Sequence, residues 1–83
     1  MYAIAKRNNV AFPPNRDAWK IEVFNDDDPN PVWERLAYDR NLIPGNIGEQ
    51  LCSELSIGGY NAALEDVVLE GDHYRINNIR RRD

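Results

Sequence analysis

Asp26, Asp27 and Asp28 stand side by side in the stretch NDDDPNPVW. Adjacent carboxylates are hard oxygen ligands and could hold a divalent cation. A calcium loop of the helix–loop–helix kind needs ligands at alternating positions, a glycine at the sixth and a glutamate at the twelfth. Counted from Asp26, those positions are Pro31 and Ala37. The spacing fails, and no metal site is expected.

The remaining groups with chemical potential are few. His73 is the only histidine, and a general base needs a nucleophile, an orienting partner and a pocket. Asp72 adjoins it, but neighbouring side chains of a strand point to opposite faces. A histidine on a sheet face or surface is the expectation. Cys52 is the only cysteine and falls on the apolar side of a helical pattern, which suits a small buried hydrophobe better than a nucleophile. Pro44-Gly45-Asn46-Ile47-Gly48 opens a helix without the lysine and hydroxyl residue of a phosphate loop. No catalytic constellation and no cofactor site emerge, so the chain does not read as an enzyme.

Arg75, Arg80, Arg81 and Arg82 could contact phosphates, with Tyr2 or Tyr74 stacking on bases. The acidic body opposes this. From Asp17 to Asp72 thirteen acids face three bases, a charge of −10, while the residues outside that window sum to +6. The whole chain carries −4. An acidic body of this kind steers basic partners electrostatically and repels polyanions. A frayed, solvated end that partly neutralises the body is the plainer account of the arginines.

The elements that must position these groups belong to one small chain. Its 83 residues, with 42% hydrophobic and 29% charged content, suit a single compact domain over residues 1–83 with a frayed basic C-terminus at 80–83. A chain of this length buries only roughly 60–65% of its unfolded surface, so its stability is expected to be modest. One cysteine permits no intramolecular disulfide, an arrangement suited to a reducing compartment. The apolar opening MYAIA is too short for a signal-peptide core, and no apolar run approaches the ~18 residues of a membrane span. A cytoplasmic location and no membrane partner are expected.

Tyr2 to Lys6 alternates as a strand, and Asn8-Asn9 suits a tight turn into Val10-Ala11-Phe12. Pro13-Pro14-Asn15 ends any strand. Ala18 to Phe24 is the clearest early strand, with Trp19, Ile21 and Val23 on one face. Asn30-Pro31 reads as a helix start for VWERLAYDRNL, whose Trp33, Leu36, Ala37 and Arg40 share one side. The three aspartates would then favour that helix's positive end. Pro44-Gly45 breaks it. Asn46 and Glu49 resemble a capping box for a second helix bearing Ile47, Leu51 and Leu55, stopped by Gly58-Gly59. Tyr60 to Leu64 suits another helical turn. Val67-Val68-Leu69, a Glu70-Gly71-Asp72 turn and His73 to Ile79 form a hairpin. The sum is an α+β fold: an antiparallel sheet of three to four strands with two short helices packed on one face.

These features favour a small acidic interaction module whose protein partner presents a basic surface. Tyr38 lies about 140° round the helix from Trp33, where it would sit exposed between acids. The contact residues expected are therefore Asp26, Asp27, Asp28, Glu34, Tyr38 and Asp39. One concrete version is an inhibitor that fills a nucleic-acid channel by setting carboxylates where phosphates would lie. In profile the chain looks like small phage-encoded inhibitors of host defence or transcription, such as anti-CRISPR proteins, and like bacterial immunity proteins that neutralise toxins. The likeness is one of profile and covers no specific residues. The alternatives are a nucleic-acid-associated protein using Arg75, Arg80, Arg81 and Arg82, and a structural subunit that self-associates into homo-oligomers through an edge strand or the tyrosine-bearing helix.

Overall fold

The computed structural model describes residues 1–10, 16–38 and 47–82. Tyr2–Val10 (β1), Arg16–Phe24 (β2) and Pro31–Tyr38 (β3) come first. Ile47–Ile57 (α1) and Tyr60–Asn61 (β4) follow, then a 3-10 turn at Leu64–Asp66. Val67–Glu70 (β5), His73–Ile76 (β6) and Arg80–Arg81 (β7) complete the described elements. The main sheet has five strands in the order β3-β2-β1-β6-β5, and β4 pairs with β7 in a second, two-stranded sheet. Every pairing is antiparallel. The fold is α+β, with five main strands rather than three to four, and with one α-helix plus a 3-10 turn among the described residues rather than two helices.

Register assigns the faces. Ala3 lies between Val23 and Ile76, and Ala5 between Ile21 and Tyr74. Trp19, Ile21 and Val23 face the same side and are buried, as their alternation predicts. The small side chains of Ala3 and Ala5 leave room for Leu51 and Leu55 of α1, both fully buried in one cluster with Ile21, Val23, Ile76, Ile79 and Tyr60. The i, i+4 spacing of Leu51 and Leu55 is what makes α1 one-sided. The helix stops where expected: Gly58 and Gly59 donate to the carbonyls of Glu54 and Ser56. Gly59 holds φ +89°, a conformation that disfavours any residue with a Cβ.

The largest correction concerns Pro31–Tyr38. The helix expected over VWERLAYDRNL is strand β3, paired with β2 from Phe24↔Pro31 to Ala18↔Tyr38. Trp33 and Ala37 are four apart, an even spacing that suits a strand face as well as a helix face. Arg35 completes that row, and Leu36 turns to the opposite face, 45% exposed. The β-branched and aromatic content of Val32, Trp33 and Tyr38, with β2 as a ready partner, decides for the sheet. Pro31 sits at the first strand position, where a missing N–H is tolerated.

Two smaller expectations also change. Asn8-Asn9 is no turn: both residues lie inside β1, opposite Ala18 and Asp17. Ladder pairing along nine residues outweighs their poor strand preference. Tyr60 starts strand β4 instead of a helical turn, its ring buried and 5.5 Å from that of Trp33. The expected strand end at Pro13-Pro14-Asn15, the helix end at Pro44-Gly45 and the cap at Asn46 lie outside the described residues, as does Arg40. The C-terminal hairpin forms, but Glu70 belongs to β5 rather than to the turn, and the second strand ends at Ile76 rather than Ile79. Gly71, at φ +63°, is the first of its two loop residues.

Candidate protein-interaction surface

Asp26, Asp27 and Asp28 form the tip of the β2–β3 hairpin, and all three are exposed. The Asp28 amide donates to the Asn25 carbonyl at 3.3 Å. The Asn30 amide donates to Asp28 Oδ1 at 2.9 Å, the side-chain turn typical of aspartate. A hairpin tip, not a helix dipole, therefore accounts for the aspartates. Asp26 lies 3.4 Å from the N-terminal ammonium, yet its side chain is 74% exposed. Asp27 has no ion-pair partner among the described residues. The tip thus concentrates negative charge that, among the described residues, only one ammonium opposes.

Glu34 belongs to the same hairpin. It stands on the sheet face away from α1, opposite Glu22 and 3.7 Å from Lys20. This pair is solvent-exposed and contributes little to stability. Tyr38 is the last residue of β3, opposite Ala18, and Asp39 lies outside the described residues. Five of the six residues nominated from sequence therefore belong to one edge hairpin.

Sequence reasoning missed an open groove along that edge. It measures about 370 Å³ and is lined by Lys20, Glu34, Arg35 and Leu36. The expected helix would put Leu36 on one side with Trp33 and Ala37. The alternation of Trp33, Arg35 and Ala37 against Val32, Glu34 and Leu36 was the signal that could have placed it outside. Arg35, on the helix side, donates through Nε to Glu54 of α1 at 2.5 Å. The groove's positive charges are thus already engaged, Lys20 by Glu34 and Arg35 by Glu54.

The four arginines nominated for nucleic acid do not form one patch. Arg75 lies on the face away from α1, its guanidinium 4.2 Å from the Tyr2 ring centre and its Nε donating to Asn77 Oδ1 at 2.8 Å. Tyr2 in turn stacks on Phe24 at 5.2 Å. Tyr74 is turned to the core side, edge-on to Trp19. Arg80 and Arg81 are not a frayed end but strand β7, opposite Asn61 and Tyr60. Arg81 sits beside the Tyr60 ring, and Arg82 bonds the end of α1 through Ser56. Structural contacts thus occupy Arg75, Arg81 and Arg82.

His73 lies between two carboxylates, Asp72 at 3.1 Å from Nδ1 and Glu70 at 3.6 Å from Nε2. The Asp72 contact was unexpected from strand geometry. It forms because Asp72 is a turn residue, outside the alternation of β6. The hydrogen bond from His73 holds the Asp72 carboxyl below its ordinary value. Cys52 is half-buried, and burial, followed by the charges of Asp66 and Glu49, pushes its thiol up. A raised thiol pKa depletes the nucleophilic thiolate. Among the described residues, no group of three or more histidine, cysteine, aspartate and glutamate side chains is placed to hold a metal ion. Nor, among them, is any helix long and apolar enough to cross a membrane.

Together these features describe a small α+β protein with an acidic hairpin at one edge of its sheet. Comparison of the chain with family models, with curated proteins and with solved structures finds no match to any of them.

Proposed function

We propose that this protein is a small acidic interaction module that binds a basic surface on another protein. The carrying observation is the β2–β3 tip, where Asp26, Asp27 and Asp28 are exposed and, among the described residues, opposed only by the N-terminal ammonium. Carboxylates fixed on a hairpin lose less freedom on binding than carboxylates on a loose chain. One form of this activity is inhibition of a nucleic-acid-handling protein, with carboxylates replacing phosphates in its basic channel. The engagement of Arg75, Arg81 and Arg82 in intramolecular contacts weighs against direct nucleic-acid binding.

Affinity capture from a cell lysate at low and moderate salt, with and without nuclease, tests the proposal. The expected result is a basic protein retained after nuclease treatment and released by salt. Recovery of nucleic acid, or of partners lost with nuclease, would overturn it. So would a mass in solution above the 9.6 kDa monomer that salt does not reduce, with no other protein captured.

A further inference from the structure

Among the described residues, β3 ends the sheet with no strand on its outer side. In an antiparallel strand about half of the N–H and C=O groups point away from the partner strand. Over the eight residues of β3 these groups form a template for one more strand. The other edge, β5, has only four residues, half the length of β3.

Indiscriminate pairing on β3 is discouraged by Pro31 and by the charges of Glu34 and Arg35. The same residues select a partner. On the face away from α1, the row along the edge is Val32, Glu34 and Leu36, with Val32 38% and Leu36 45% exposed. A residue set opposite Glu34 completes a favourable pair when it is basic, and residues opposite Val32 and Leu36 do so when apolar. Beyond Val32 the added chain would run past Asp26, Asp27 and Asp28, where more basic residues belong.

We infer that β3 is the docking edge, and that it takes up an extended basic segment of the partner protein as a sixth strand of the main sheet. Running antiparallel to β3, that segment would read apolar, basic, apolar at alternate positions and then carry consecutive basic residues. The inference rests on the acidic-module proposal and specifies how such a module grips its partner.

The test uses the whole chain and the synthetic peptide Leu-Thr-Lys-Thr-Val-Thr-Lys-Lys. A control peptide carries proline in place of each threonine, which keeps the charge and removes backbone donors. Amide shifts and hydrogen exchange would be followed by NMR at low salt. The expected result is saturable shifts along Val32 to Ala37, slowed exchange of outward β3 amides, and at least tenfold weaker binding of the proline peptide. Equal binding of the two peptides, with shifts confined to Asp26, Asp27 and Asp28, would overturn edge pairing and leave the acidic module standing. Shifts at β5, or β3 shifts produced by raising protein concentration alone, would also overturn it. If neither peptide binds while lysate capture still yields a salt-sensitive basic protein, the docking edge is wrong and the module is not. Failure of that capture as well would sink both.

Discussion

The guanidinium of Arg82 donates to the backbone carbonyl of Ser56 at 2.6 Å and to the Ser56 hydroxyl at 2.9 Å. Its own amide donates to the Gly59 carbonyl at 2.7 Å. A C-terminal arginine thereby closes the carbonyl end of α1, where positive charge is favoured. Arg82→Ala is expected to lower stability by about 0.5–2 kcal/mol, read as a shift in the urea midpoint. Arg80→Ala, on the exposed side of β7, should stay within about 0.5 kcal/mol. Equal, negligible effects of both would contradict the capping role.

Gly58 is packed directly beneath the indole of Trp33, and an added Cβ would collide with the ring. The ring is rigid and braced by Tyr60, so Gly58→Ala should cost about 1–3 kcal/mol and disturb the near-ultraviolet signal of the tryptophans. At Gly59 the surroundings are open and only the positive φ matters. Gly59→Ala should cost about 1–2 kcal/mol while leaving that signal unchanged.

Cys52 should resist alkylation. Its folded thiol titrates above the ordinary 9.0, so its contribution to stability is complete below that value and is lost as pH rises through the folded one. Iodoacetamide labelling at neutral pH should proceed several times more slowly in the native protein than in urea. Native labelling as fast as unfolded labelling would show an accessible, reactive thiol instead.

The aspartates of the hairpin tip should be separable from stability. No helix begins after them, so Asp27→Lys removes no helix-dipole contact and should change the unfolding free energy by no more than about 0.5 kcal/mol. It should nevertheless weaken capture of a basic partner. A large stability loss would indicate that Asp27 holds the turn.

Asp72 sets an acid-side signature. Its folded pKa is depressed by the His73 hydrogen bond, so the stability it contributes is present above the ordinary 3.8 and lost as pH falls through the lower folded value. The stability profiles of the parent and of Asp72→Asn should therefore converge only in that acidic window. Parallel profiles through it would remove the contact's significance.

Legibility from sequence followed the distinctness of each period. The row of Trp19, Ile21 and Val23 alternates with polar neighbours and was read correctly. Leu51 and Leu55 are four apart with glycines behind them, and α1 followed. Between Pro31 and Tyr38 the spacing of Trp33 and Ala37 satisfies both periods. The N-cap signal at Asn30-Pro31 tipped the choice the wrong way, because the pairing surface of β2 is invisible in local sequence. The acidic tip was visible as composition. Its place on a sheet edge, beside the groove at Leu36, required the register. The fates of Arg75 and Arg82 were equally non-local, since Tyr2 and Ser56 are distant in the chain.

The first strand occupies the centre of the sheet, with Ala3 meeting Val23 on one side and Ile76 on the other. During synthesis the first neighbour is available almost at once, and the second only after β6, at His73–Ile76, has emerged. Until then one flank of β1 is a bare strand in the nascent chain, open to neighbouring polypeptides. Lys6 and Arg7 put two positive charges on that strand, and charge of this kind disfavours such pairing.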